Sequence, residues 1–169
     1  KNKIPMIAYT YNEPAVFLEY AHDTAKLAKK KGIKNIYVTN GYETKEALEL
    51  MKPYIDAMNI DLKSFNDDFY KKTCGARLEP VLETIKLAKK MNFWIEITTL
   101  IIPDENDSEK ELTQIAEFIA SIDKSIPWHI SRFFPMYKMQ NKNPTSEEKL
   151  KQAYEIGKKA GLKYVYVGN

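Results

Sequence analysis

Two sequence periods alternate along this chain from end to end. Short β-rich runs cover Ile4 to Tyr11, Lys34 to Thr39, Ala57 to Leu62, Phe93 to Ile101, Trp128 to Phe133 and Lys163 to Val167. Stretches with helical spacing separate them. Those stretches carry their own start and stop signals. Pro14 precedes a helix from Ala15 to Lys31, and Gly32 stands just past its end. Thr44 can cap Lys45 to Lys52, which stops before Pro53. Pro80 opens a helix running to about Lys90. Ser108 with Glu111, and Thr145 with Glu148, read as capping boxes. Leu112, Ile115, Ala116, Ile119 and Ala120 then fall on one stripe, as a buried helix face requires. Gly161 ends the last helix. Strands alternating with helices make βα units, which need parallel pairing, right-handed crossovers and helices on the sheet. The expected fold class is therefore α/β: a partial (β/α) barrel of about six parallel strands with outer helices, in a single domain over residues 1–169.

In such folds ligands bind at the carboxyl ends of the strands. Those ends are polar here. In order they carry Tyr11-Asn12-Glu13-Pro14, Thr39-Asn40-Gly41, Asp61-Leu62-Lys63, then Glu96, Thr98 and Thr99, then His129, Ser131 and Arg132, and last Gly168-Asn169. Each polar group in a strand interior needs a partner, so the set implies a shared polar cavity at one mouth. Taken singly, each is equally a cap or turn residue. Asp61 and Lys63 stand two apart and share a strand face. They suit a ligand bearing both charges, such as an amino-acid head group.

Composition narrows the partners. The net charge is +3, and the lysines are scattered over helix faces without a basic stripe interleaved with aromatics, so nucleic acid is not an expected partner. No apolar run is long enough to span a membrane, and no secretory signal is visible. The single Cys74 excludes an internal disulfide, reads as a small half-buried residue, and fits a reducing, cytoplasmic setting. No Cys/His cluster surrounds His22 or His129, which argues against zinc. Trp94 and Trp128 open two strands at the end away from the polar mouth and read as packing residues.

The ordered motifs YNEP, TNG, DLK, a strand ending in IIP, and HISRF followed by FP resemble the radical S-adenosylmethionine (radical SAM) enzymes. The pattern is most similar to their glycyl-radical activating branch, pyruvate formate-lyase activating enzyme and relatives, with the AmmeMemoRadiSam-system proteins the nearest subgroup. It covers essentially the whole chain. The resemblance implies a TIM-like radical SAM barrel that binds S-adenosylmethionine and, in the intact protein, a 4Fe–4S cluster. That cofactor is cleaved reductively to a 5′-deoxyadenosyl radical, which abstracts hydrogen from a substrate, for this branch a protein glycine. Carried over residue by residue, Asn12 and Glu13 sit where the family has its Gly-Gly-Glu-Pro motif, which receives the methionine amino group; the two glycines are Tyr11 and Asn12 here. Asp61 and Lys63 match the family's Asp-x-Lys, with Lys63 near the methionine carboxylate. Thr39 and Asn40 match the strand lining the same cofactor, and His129 and Arg132 match positions toward the adenosine part. Glu96 lies near where activating enzymes have an arginine, and its role is open.

The resemblance also sets an expectation by absence. The family's cluster loop is CxxxCxxC, and Cys74 lies in a different loop. A first strand and the cluster loop are thus expected upstream of Lys1, with this segment inactive alone. Two other readings stay open: a barrel lyase or aldolase using Lys63 as a Schiff base, which the neighbouring Asp61 disfavours, and a non-catalytic ligand-binding domain.

Overall fold

The structure, a computed structural model, describes residues 5–168; Lys1, the start of the first expected strand at Ile4, and the terminal Asn169 lie outside them. Six strands form one sheet in chain order: β1 (Met6–Tyr9), β2 (Lys34–Thr39), β3 (Ala57–Asp61), β4 (Trp94–Ile101), β5 (Trp128–Arg132) and β6 (Val165–Gly168). Pairing is parallel, with Tyr9 beside Tyr37, Thr39 beside Ile60, Ile101 beside Arg132 and Ser131 beside Gly168. The helices are α1 (Leu18–Lys30), α2 (Lys45–Met51), the single turn α3 (Asp67–Phe69), α4 (Leu78–Lys90), α5 (Glu109–Ile122) and α6 (Glu147–Lys159). The expected α/β architecture is the one observed. Pro14 starts a 3₁₀ turn, Pro14–Phe17, ahead of α1. A π-helical turn, Tyr70–Cys74, follows α3.

The chain divides into two compact units. The first holds the chain through Asp61 together with Pro80–Glu96; the second holds Leu62–Glu79 and everything from Ile97 on. In the first unit, α1 presents Ala21, Ala25 and Ala28 inward, and all three are buried. Alternate residues of β2, Asn35, Tyr37 and Thr39, are buried on one face. Asn35 is fully enclosed, and its amide is fully used. It accepts from the Tyr9 hydroxyl at 2.9 Å and donates to the carbonyls of Ala25 and Tyr54, each at 3.0 Å. An unpaired amide there would cost a few kcal/mol, about the size of a lost buried hydrogen bond. His22 stays a helix-face residue, edge-on to Tyr54 at 4.9 Å between ring centroids.

In the second unit α5 buries Leu112, Ile115, Ala116 and Ile119 of the expected stripe, while Ala120 at its margin is half-buried. α6 buries Leu150, Ala153 and Gly157. Trp128 is fully buried against Gly157, and its indole N–H donates to Thr99 Oγ1 at 3.0 Å. Thr99 donates in turn to the Leu62 carbonyl at 2.9 Å, so its hydroxyl serves the core.

Several expectations need correction. Trp94 is not a packing residue: it is 62% exposed. The alternation of β4 buries Ile95 and Ile97 and turns Trp94 to the other face with Glu96, to which its N–H donates at 3.3 Å. Neither capping box closes. Ser108 does accept from the Glu111 N–H at 3.2 Å, but the Glu111 carboxylate goes elsewhere, to Ser64 and Phe65. At α6 the cap is Ser146, accepting from Lys149 N–H at 3.2 Å. Thr145 is buried, donating to the Ile101 carbonyl at 2.6 Å and accepting from Phe133 N–H at 2.8 Å. Cys74 is exposed rather than half-buried, because it ends the π-helical turn on the surface. No helix among the described residues is long and apolar enough to cross a membrane.

Candidate functional site

The first unit builds a carboxylate clasp where β1 and β2 end. Glu13 caps the turn Pro14–Phe17 from an extended conformation (φ −148°, ψ 118°), and buried Pro14 fixes the turn's entry. Its Oε1 accepts from Ala15 N–H at 3.3 Å and from the Thr39 hydroxyl at 2.7 Å. Its Oε2 accepts from Asn40 N–H at 2.7 Å. Thr39 Oγ1 accepts from Gly41 N–H at 3.1 Å and lies 3.2 Å from Glu43 Oε1. Asn40 Oδ1 accepts from Tyr42 N–H at 2.8 Å and tightens the turn. Gly41 is obligatory in that turn. Its φ is +76°, and a Cβ would stand 2.7 Å from Ile60 Cγ2 and 3.0 Å from Val81 Cγ1.

The clasp concentrates negative charge in a confined place. Burial, then the neighbouring Glu13 charge, pushes the Glu43 carboxyl up from 4.5 to about 7. Burial, then Glu43 and Glu13, also holds the Tyr37 hydroxyl well above its ordinary value. That hydroxyl is buried without a hydrogen-bond partner among the described residues. The structure thus brings Glu13, Thr39 and Asn40 together, with Asn12 exposed beside Glu13. It adds Glu43, which the sequence reading passed over. The signal was available: a glutamate two residues beyond the glycine of TNG. Asp61 is half-buried at the end of β3, on the strand face it shares with Asn59.

The second unit carries Lys63, His129 and Arg132. Lys63 lies beyond β3. Its N–H donates to the Tyr70 hydroxyl at 3.1 Å and its carbonyl accepts from Asn106 Nδ2 at 2.6 Å. Asn106 is buried and also bonds the Leu100 carbonyl at 2.8 Å and Ile102 N–H at 2.7 Å. Glu111 accepts from the Ser64 hydroxyl and, at 3.0 Å, from Phe65 N–H. Tyr70, Asn106 and Glu111 therefore hold the segment that presents Lys63, and none of the three was legible as a site residue. His129 is half-buried on β5 and stacks on Tyr166, centroids 5.2 Å apart at 24°. The Arg132 guanidinium lies 5.3 Å from the Phe134 ring centre, and its buried Nε has no hydrogen-bond partner among the described residues.

Among the described residues no group of three or more His, Cys, Asp or Glu is placed to hold a metal ion. The model of the radical SAM superfamily matches residues 1–118, well over half of the 169. This chain belongs to the radical SAM superfamily. An uncharacterized protein of Methanocaldococcus jannaschii is 48% identical over 166 residues, 98% of this chain and 49% of that protein. This chain therefore spans about half the length of that relative. The pyruvate formate-lyase-activating enzyme of Clostridium pasteurianum is 24% identical over 157 residues, 86% of this chain and 66% of that enzyme. A crystal structure of a domain of pyruvate-formate lyase-activating enzyme from Bacteroides vulgatus superposes with a TM-score of 0.82 at 25% identity, covering 96% of this chain and 98% of that one. The radical SAM resemblance read from the motifs therefore holds, with activating enzymes among the proteins this chain is similar to, and so does the radical SAM type of α/β fold.

Proposed function

We propose that this chain carries S-adenosylmethionine-binding residues of a radical SAM protein of the glycyl-radical activating kind. The observation that supports this reading is the clasp at Glu13. A carboxylate oriented by the Thr39 hydroxyl and the Asn40 N–H keeps lone pairs for a cationic ligand, and an amino group suits it. Glu13 would receive the methionine amino group beside Asn12, with Thr39 and Asn40 fixing its orientation. The family pattern assigns Asp61 and Lys63 to the methionine head group, Lys63 toward its carboxylate, and His129 and Arg132 toward the adenosine part. Bound S-adenosylmethionine supplies this family with a carbon radical for hydrogen abstraction. The chain's share is to grip and orient it.

The 4Fe–4S cluster does not fit this chain alone. The family's loop uses three thiolates, and the chain has one cysteine, exposed Cys74. Cluster ligands would have to come from outside these residues. A protein as second substrate and a cytoplasmic setting belong to the same proposal, supported by the likeness to activating enzymes and the lone thiol.

Calorimetric titration of the chain with S-adenosylmethionine tests the reading. Saturable binding is expected, weakened about tenfold or more in Glu13→Gln, the size of one lost charge-assisted hydrogen bond. Equal affinity in a folded Glu13→Gln variant, or no saturable binding to the wild-type chain, would sink it.

A further inference from the structure

Thr39 has too many partners for two ionised carboxylates. A hydroxyl has one hydrogen to donate and two lone pairs to accept with. Thr39 Oγ1 stands 2.7 Å from Glu13 Oε1, 3.2 Å from Glu43 Oε1 and 3.1 Å from Gly41 N. Gly41 N–H can only donate. The shorter contact, to Glu13, takes the Thr39 hydrogen. The Glu43 contact then closes as a full hydrogen bond, and not as a weak share of the same hydrogen, when Glu43 donates to the second lone pair, and a carboxyl donates only when protonated.

The surroundings of Glu43 act the same way. Its side chain lies against an apolar pocket lined by Tyr37, Leu48, Met51, Met58 and Phe93. The titratable groups acting on it are Glu13, from the turn after β1, and Tyr37, from β2, and neither brings a positive charge. Its carbonyl is fixed by the Thr84 hydroxyl of α4 at 3.2 Å.

We propose that Glu43 is a positioning residue that carries the single proton of a Glu43–Thr39–Glu13 relay, so that Glu13 alone is the anion offered to an ammonium ligand and binding of that ammonium drives the Glu43 proton into solvent. The second half rests on the reading of Glu13 as an amino-group acceptor. The balance is simple. One proton leaves the Glu43 carboxyl, no bond to carbon changes, and the ligand's positive charge replaces the lost one. The burial-driven rise of the Glu43 carboxyl to about 7 places this exchange at neutral pH.

Two measurements separate the relay from the ligand reading. Carboxyl-carbon NMR of the ligand-free chain follows Glu43 from acid to alkaline pH. A midpoint near 7 is expected, falling toward the ordinary 4.5 in Glu13→Gln as the like charge is removed. A wild-type midpoint near the ordinary 4.5, or one that Glu13→Gln leaves unmoved, overturns the relay whatever the ligand does. Titration with S-adenosylmethionine at pH 7, in buffers of different ionisation enthalpy, counts protons. Release of up to about half a proton per ligand is expected in the wild type and none in Glu43→Gln, whose amide donates to Thr39 as the acid does. Buffer-independent heats in the wild type overturn the coupling. No binding heat at all overturns the reading of Glu13, and the NMR midpoint still decides the relay.

Discussion

A carboxylate at the third position of a helix has two uses for its lone pairs. It can turn back to the cap residue's N–H, or it can reach across the fold. Glu111 takes the second course, bonding the Ser64 hydroxyl and Phe65 N–H with only 8% of its surface exposed. Its local alternative is a solvated contact worth a few tenths of a kcal/mol; the distant one satisfies two donors that would otherwise be sealed in. Truncation should reflect the larger stake. Glu111→Ala is expected to lower unfolding stability by about 2–3 kcal/mol in urea denaturation, because both donors lose their acceptor. A loss under about 0.5 kcal/mol would mean the carboxylate acts only as a surface helix residue. Thr145 follows the same rule. Its hydroxyl bridges Ile101 and Phe133, so the neighbouring Ser146 is left to cap the helix.

Elements are placed here by small residues as much as by large ones. α1 offers only alanines to the interior at Ala21, Ala25 and Ala28. α6 offers Gly157, where a Cβ would meet Trp128 Cε3 and Val165 Cγ2, each at 3.0 Å. Helix propensity alone favours alanine at that position by about 1 kcal/mol. The contact opposes it, because Trp128 is fully buried and its N–H is tied to Thr99, so the ring cannot slide away. Overpacking costs about 1–3 kcal/mol. Gly157→Ala is therefore expected to lower the melting temperature by a few degrees, about 2–4 °C per kcal/mol for a chain this long. A higher melting temperature would show that α6 can shift by a few tenths of an ångström at little cost.

For the molecule as a whole, the clasp makes stability depend on pH in an unusual direction. Burial and the Glu13 charge push the Glu43 carboxyl up to about 7 in the folded chain against an ordinary 4.5, so between those values the folded chain binds more protons than the unfolded one. Its contribution is complete below about 4.5 and is lost as pH rises through about 7. The loss is at most about 3–4 kcal/mol, less with solvent relaxation. Asp67, held below its ordinary value first by the Lys71 hydrogen bond, acts in acid and leaves this window alone. Denaturation between pH 5 and 8 should show wild-type stability falling while Glu43→Gln stays flat. Parallel slopes would place the titrating group elsewhere. The sequence by itself determined the six strands, the helices between them, the polar strand ends and the family, because periodicity, caps and short motifs are local signals. It located Glu13, Thr39 and Asn40 but not the bonds among them. Only the tertiary structure decided that Thr39 joins Glu13 26 residues away, that Ser64 finds Glu111 across 47, and that Glu43 sits beside both partners of the clasp. The physical reason is that a buried polar group takes whichever partner packing brings within about 3 Å, and no local pattern records that choice.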